Sequence, residues 1–547
     1  DWFQLSLKEG FTVLRDQLFS ADMGSAAVKR IDDVRVLRAA QFPEDAGPLA
    51  HPIRPDSYME ISNFYTATVY NKGAEVIRMM RTMAGEERFR AGTDLYFDRH
   101  DGTAATCDDF LAAMEEGAGL DLSRFRAWYA TAGTPRVIVR QQWDEAVGRL
   151  TVTLAQQLAA GGAPAQPSAM VIPLRTAFVA PVGSHGGEEL LLLDAPEMTI
   201  VRDGFAARPA LSINRDFSAP VTLDTDRSPQ DLAFLSGHDD DPFARYEAMQ
   251  ALMTDHLVAA VASGGAGDPG VIVDAVAAGL DDPALDEAFL AELVTLPTEA
   301  FLGEQMLVID PDAIHSARET LKRALAGALA ARWAARYERA AAPRPFSLAP
   351  ADKAARRLAG VTLSYLASAD PADGAARALA QYRAADSMTL RLSALGALTH
   401  LDAPEREEAF ADFHDRWRHD PLVIDKWFSL QALSLRPDTA ARVAELAERP
   451  DFTLANPNRV RALWGAFAGN QLRFHDAGGV GYAMLADVIA RLDATNPQIA
   501  ARFVAPLGRW RRFEAGRGEK MRAALERLQA GGPLSKDVGE QVMKSLA

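Results

Sequence analysis

The 547-residue sequence holds a single cysteine, Cys107, which excludes an intrachain disulfide and a thiolate metal cluster and fits a reducing compartment. No apolar run approaches the roughly 18 residues of a membrane-spanning helix; even the stretch from Ala324 to Ala335 is broken by Arg332. No membrane association is expected. Basic residues are in deficit, 58 against 74 acidic, for a formal charge of -16. Nothing therefore supplies a large phosphate-neutralising surface, and nucleic acid is excluded as a partner. A nucleophile elbow, a Walker loop and a Gly-rich dinucleotide fingerprint are all missing. Among the 10 histidines the closest pair, His414 and His419, is spaced i to i+5 and cannot face one ion from a regular helix.

What is present is the composition of an ordinary globular chain, 48% hydrophobic and 24% charged, and its length predicts several domains. From Trp2 to Phe19, Phe3, Leu7, Phe11, Leu14 and Leu18 recur at helical spacing, with Leu5 and Val13 in a second stripe, which predicts a helix buried on more than one side. Further helices are expected from about Phe64 to Met83, Glu86 to Arg99 and Asp108 to Glu116, the last capped from Thr106, Asp108 or Asp109. After Pro135 the period drops to two, at Val137 and Val139, at Leu150, Val152 and Leu154, from Val171 to Val179 and from Leu190 to Leu193. Turn signals at Gly161-Gly162-Ala163-Pro164 and Gly183-Ser184-His185-Gly186-Gly187 complete a small β-sandwich ending near Asp226.

From Ser228 onward the helical period returns. It is broken by short stops such as Gly267-Asp268-Pro269-Gly270, Asp281-Asp282-Pro283 and Asn456-Pro457-Asn458, and about fifteen short helices are expected, stacked as a HEAT-like α-solenoid. The fold class is thus multi-domain and mostly α: a helical part over residues 1–134, a β-sandwich over 135–226 and a helical superhelix over 227–547. Asp239-Asp240-Asp241 lacks the downstream Gly and Glu of a calcium loop and reads as a solvated helix cap.

Glu9 lies between Leu5 and Val13 on a stripe that should be buried. A carboxylate there needs either a basic partner or a metal ion, and periodicity alone leaves both open. Tyr70, in the run Tyr70-Asn71-Lys72-Gly73-Ala74, reads either as a core tyrosine bonded to a carbonyl or as a hydrogen-bond donor to developing negative charge. Gly73 in mid-helix costs about 1 kcal/mol relative to alanine, so close approach of a neighbouring helix is its expected reason.

The stretch Trp2-Phe3-Gln4-Leu5-Ser6-Leu7-Lys8-Glu9-Gly10 resembles the W-x-x-L-x-L-x-E-G segment of the M1 family of zinc aminopeptidases, and Tyr70 to Ala74 resembles that family's Y-x-K-G-A motif. The runs Arg99 to Phe110, Phe125 to Pro135, Asn456 to Arg461 and Asn496 to Arg502 extend the likeness over essentially the whole chain. The resemblance implies that Glu9 is the third ligand of one catalytic zinc ion and that Tyr70 donates a hydrogen bond to the tetrahedral oxyanion. It also implies that Gln498 and Arg502, one turn apart, could line the substrate cavity. Asn71 departs from relatives that carry a glutamate near the substrate's amino group.

In that family an HExxH segment supplies the other zinc ligands, and with only eight residues before Glu9 it is expected to precede Asp1. The chain opens within a periodic apolar pattern with neither an initiator Met nor a signal peptide, so upstream residues are expected to be missing. The expected partners are peptides with a free N-terminus and the missing N-terminal part of the same polypeptide. The expected address is cytoplasmic. The fragment by itself is expected to be inactive. The alternative is a non-catalytic helical-repeat interaction module derived from an M1 peptidase.

Overall fold

The computed structural model describes residues 2–158, 169–181 and 187–547, so the turn signals at Gly161-Gly162-Ala163-Pro164 and Gly183-Ser184-His185-Gly186 lie outside the described residues. The chain divides into two compact units, Asp1–Ala251 and Leu252–Ala547.

In the first unit a 3-10 turn over Trp2–Gln4 leads into α1, Leu5–Asp22, which buries Leu5, Ser6, Gly10, Phe11, Leu14 and Gln17. Next comes α2, Ala26–Val36, capped by the Ser25 hydroxyl accepting from the Val28 N–H. A π-helical turn over Leu37–Gln41 runs on into α3, Phe42–Asp45. The helix expected from Phe64 begins later: a 3-10 turn over Ile61–Phe64 ends at Tyr65, whose backbone is non-helical. A second π-helical turn, Thr68–Lys72, then leads into α4, Gly73–Ala84. The late start has a visible cause, because the Glu44 carboxylate accepts from the Thr68 N–H at 2.8 Å and so satisfies a donor at the helix entrance. Two more helices follow, α5, Glu86–His100, and α6, Cys107–Ala118. As the sequence anticipates, α6 is capped by Thr106, in a reciprocal box with Asp109.

Seven strands follow among the described residues: β1 (Pro135–Asp144), β2 (Arg149–Leu158), β3 (Ile172–Val179), β4 (Glu189–Leu193), β5 (Glu197–Arg202), β6 (Ala210–Ile213) and β7 (Thr222–Thr225). One sheet has the order β5-β2-β1-β7 and the other β4-β3-β6. All neighbours are antiparallel except β1 and β7. The expected alternation is seen: Val137, Val139, Leu150, Val152 and Leu154 point inward onto Ile172, Leu174, Leu193 and Leu211. That core continues into the helices through Met79, Phe110 and Trp128, whose indole N–H donates to Val171 O at 2.9 Å.

Between β6 and β7, Asn214, Asp216 and Phe217 all adopt positive φ, a conformation that costs free energy in non-glycine residues. Arg30 of α2 offsets it. Its guanidinium donates to Asp216 O at 3.0 Å and to Phe217 O at 2.9 Å while forming a two-pronged, fully buried pair with Glu75 at 2.7 and 2.6 Å. The expected solvated cap at Asp239 to Asp241 holds only in part. Asp241 caps the following helix through the Ala244 N–H at 2.7 Å, but Asp239 is buried against Arg215 at 2.9 Å.

The second unit is helical throughout. Long helices such as Pro311–Ala328, Ala330–Ala340, Pro350–Ala369, Pro371–Ala384 and Met388–Thr399 pack mainly on their neighbours in the chain, the pattern of an α-solenoid. Many start from an Asp, Ser or Asn cap, Asn456 among them. The stretch 229–547 contains 21 α-helical segments rather than about fifteen. The excess arises where single apolar runs are split by local geometry, as at Pro457–Val460, the π-helical turn Arg461–Gly465 and Ala466–Gly469. Trp333 stacks on Tyr365 with ring centroids 4.1 Å apart, and the Tyr365 hydroxyl donates to Val294 O at 2.6 Å. No described helix is long and apolar enough to cross a membrane.

Candidate active site

Two glycines decide what meets in the first unit. A Cβ placed on Gly10 of α1 would lie 2.8 Å from the Gly73 carbonyl carbon and 3.0 Å from Gly73 Cα, and one placed on Gly73 would lie 3.3 Å from Gly10 Cα. The backbones of α1 and α4 therefore touch at a crossing that a side chain on Gly10 would forbid. That is the close approach the sequence anticipates at Gly73, with Gly10 as a partner that sequence reasoning did not single out. Glu9 precedes one glycine and Tyr70 sits less than a turn before the other, so the crossing brings a carboxylate and a phenol together.

The Tyr70 hydroxyl lies beside the Glu9 carboxylate, and its pKa is pushed up to about 12, by burial first and then by its interaction with that carboxylate. The phenol is therefore a donor throughout the neutral range. Glu9 is 17% exposed, and its basic partner is its chain neighbour Lys8 at 3.1 Å, itself 57% exposed. The acid is thus not consumed by a permanent cation in the core. Lys8 also donates to the Tyr65 hydroxyl at 3.4 Å, and Tyr65 packs near Tyr70 with centroids 6.3 Å apart. Leu5, Phe64 and Val69 form the small apolar cluster beneath. His51 packs edge-on against Phe64 of that cluster, with ring centroids 4.9 Å apart. Its Nδ1 lies 2.9 Å from Pro52 O and its Nε2 3.0 Å from the Thr66 hydroxyl, and burial holds its pKa down.

Glu9 and Tyr70 are thus brought together. Gln498 and Arg502 lie in the second unit, both exposed, on the single turn Pro497–Arg502 that Asn496 caps. As for a metal, Glu9 suits a single oxygen ligand, partly open and with lone pairs not spent on a core cation. Among the described residues, however, no group of three His, Cys, Asp or Glu side chains could hold an ion. His414 instead bonds Asp451 at 2.8 Å. The described donors by themselves do not make up a zinc site.

Family profiles match the chain in three segments. Residues 1–129 match the one described as Peptidase family M1 domain, 133–226 a domain of unknown function (DUF3458) with an Ig-like fold, and 229–547 a domain of unknown function (DUF3458_C) of ARM repeats, more than half the chain. Aminopeptidase N of Caulobacter vibrioides is 46% identical over 551 residues, and aminopeptidase N of Escherichia coli 42% over 560, in each case across all of this chain.

The chain belongs to the DUF3458_C family, and its first 129 residues match the M1 peptidase domain.

It spans 64% of the length of either relative. Among solved structures, Legionella pneumophila aminopeptidase A in complex with aspartic acid superposes with a TM-score of 0.91 at 29% identity, matching all of this chain and 63% of that one. The M1-type motif around Tyr70 also contains a residue that the sequence reading passed over. Lys72 is 1% exposed and donates to Asp45 at 2.7 Å. Its place inside the motif was the available signal.

Proposed function

We propose that this chain is the C-terminal portion of a zinc-dependent aminopeptidase that hydrolyses N-terminal residues from peptides with a free amino terminus. The observation that carries the reading is the Tyr70 hydroxyl held against the Glu9 carboxylate by two helices in backbone contact. Glu9 would be one of three protein ligands of a zinc ion that supplies Lewis acidity, the others coming from polypeptide beyond this chain. Tyr70 acts through its own proton. A neutral phenol within reach of an oxygen that gains negative charge donates a hydrogen bond that strengthens as the charge grows, which lowers the barrier without tightening substrate binding.

In the full-length enzyme Tyr70→Phe should lower kcat by roughly 100-fold or more, as loss of one oxyanion donor does elsewhere, with KM little changed. Wild-type turnover in that variant would remove Tyr70 from the reaction. Gln498 and Arg502 are proposed as substrate contacts, for which Arg502→Ala should raise KM while sparing kcat. The chain alone is proposed to be inactive, since Glu9 finds no second and third zinc donor beside it among the described residues, and the proposed address is cytoplasmic. A non-catalytic helical-repeat module is the weaker reading, because a scaffold has no use for an open carboxylate held against a protonated phenol.

A further inference from the structure

The turn that carries Tyr70 is gripped from the side opposite its hydroxyl. Gln41, Glu44 and Asp45 are spaced i, i+3 and i+4 and so share one face of the helical run 37–45. That face meets Thr68 and Lys72, spaced i and i+4 on the π-helical turn. Each pairing is direct. Glu44 Oε1 accepts from the Thr68 N–H at 2.8 Å and from its hydroxyl at 2.5 Å, and Gln41 Nε2 donates to the Thr68 hydroxyl at 3.3 Å.

Both oxygens of Asp45 are engaged. Its Oδ2 accepts from Lys72 Nζ at 2.7 Å and from the Thr134 hydroxyl at 3.0 Å, and its Oδ1 accepts from the Gly133 N–H at 2.7 Å. The second bond of Lys72 goes to Gly133 O at 2.9 Å. Both charged side chains are sealed from solvent, at 1% and 0% exposure. Gly133, at φ 95°, takes a conformation that suits glycine and presents its N–H and its carbonyl to the two partners.

Tyr70 lies two residues from both Thr68 and Lys72, roughly half a turn around the helix axis. The gripped face and the phenol thus point in opposite directions. A buried ion pair contributes little net stability compared with apolar residues of the same volume, whereas its geometry is demanding. What it supplies at this position is orientation. A rotation of the turn that would carry the Tyr70 hydroxyl away from Glu9 must first break both bonds of Lys72, to Asp45 and to Gly133 O, and the bonds of Thr68 to Glu44. The Gly10–Gly73 contact sets the distance between the two helices and leaves that rotation free.

We propose that Asp45 and Lys72 are positioning residues for Tyr70, a buried latch that fixes the rotation of the Thr68–Lys72 turn so that the phenol stays over Glu9. This rests on the catalytic role proposed above for Tyr70. The latch touches no reacting atom and acts only through the tyrosine.

The test is a mutant cycle in the full-length enzyme. Either single substitution strands a buried charge and can cost the fold, so the informative variant is Asp45→Asn/Lys72→Met, which removes both charges together. It should fold, lose at least tenfold in kcat and change KM less than threefold. Added to Tyr70→Phe, the double substitution should cause less than a twofold further loss, because a latch has nothing to position once the hydroxyl is gone. Hydrogen exchange should quicken over residues 66–74 and remain unchanged over Leu5–Asp22. An undiminished kcat, an equal loss in the Tyr70→Phe background, or unaltered exchange over 66–74 would each overturn the latch. Full activity of Tyr70→Phe alone would instead overturn the role of the tyrosine, so the two failures are told apart.

Discussion

Replacing Gly10 by alanine and replacing Gly73 by alanine are the same chemical change on two sides of one helix crossing, yet the geometry assigns them different outcomes. At Gly10 the new methyl would meet Gly73 C at 2.8 Å, Gly73 Cα at 3.0 Å and Ala74 N at 3.1 Å, all backbone atoms of α4 that cannot rotate aside. Ordinary carbon contacts begin near 3.5 Å, so the helices must separate by roughly half an ångström or more. Overpacking of this kind costs about 1–3 kcal/mol, and the gain in helix propensity returns about 1. The net expected for Gly10→Ala is a destabilisation of up to about 2 kcal/mol. At Gly73 the nearest atoms are Gly10 Cα at 3.3 Å and Ser6 Cβ at 3.4 Å, a tight contact that a shift of a few tenths of an ångström relieves. Propensity then offsets strain, and Gly73→Ala should fall within about 0.5 kcal/mol of the parent. Calorimetric unfolding of the chain, read at the transition that carries the first unit, measures both. Because the crossing sets the Glu9–Tyr70 approach, Gly10→Ala should also lower kcat of the full-length enzyme well beyond its effect on stability, as misplacements of about 1 Å do. Equal stability of the two variants, or a more stable Gly10→Ala, would refute the argument from backbone contact.

Three further outcomes follow from the geometry. Zinc should not copurify stoichiometrically with the 547-residue chain, and equilibrium dialysis should find only weak, displaceable metal; one tightly held ion per chain would contradict the single-donor reading of Glu9. Arg30→Met should destabilise the first unit by about 3 kcal/mol, since it strands the buried Glu75 and frees the positive-φ carbonyls of Asp216 and Phe217; a loss under about 1 kcal/mol in urea unfolding would show that Arg78, 3.9 Å from Glu75, suffices as its partner. His475 is buried against Tyr482 at 3.0 Å and its pKa is lowered to about 3, by burial first and then by the charges of Arg509 and Arg517. The unfolded chain therefore binds the extra proton between about pH 6.5 and pH 3, and stability falls as the pH drops through that window by up to about 1.4 kcal/mol per unit. His475→Gln should flatten that slope between pH 6 and 4, and an unchanged slope would take His475 out of the acid sensitivity.

The sequence by itself determined whatever is local. A 3.6-residue stripe made α1, a capping box at Thr106 and Asp109 started α6, and an alternation of apolar residues from Val137 to Leu154 marked two strands, because each signal lies within a few residues of the element it produces. The same holds for the candidate site as far as Glu9 and Tyr70, which stand in recognisable runs. Tertiary structure decided the rest. The helix Ala26–Val36 was not anticipated, since its pattern is crowded with Lys29, Arg30, Asp32, Asp33 and Arg35, and only the distant Glu75 and the strained carbonyls before β7 explain why Arg30 is buried. The short strands β5, β6 and β7 depend on neighbours for their pairing. The late start of the Tyr70 turn comes from Glu44, more than twenty residues away along the chain. Periodicity reports which face of an element is apolar. It does not report which other element arrives at that face, how closely two backbones approach, or where a buried charge finds its partner, and those three facts place the phenol beside the carboxylate.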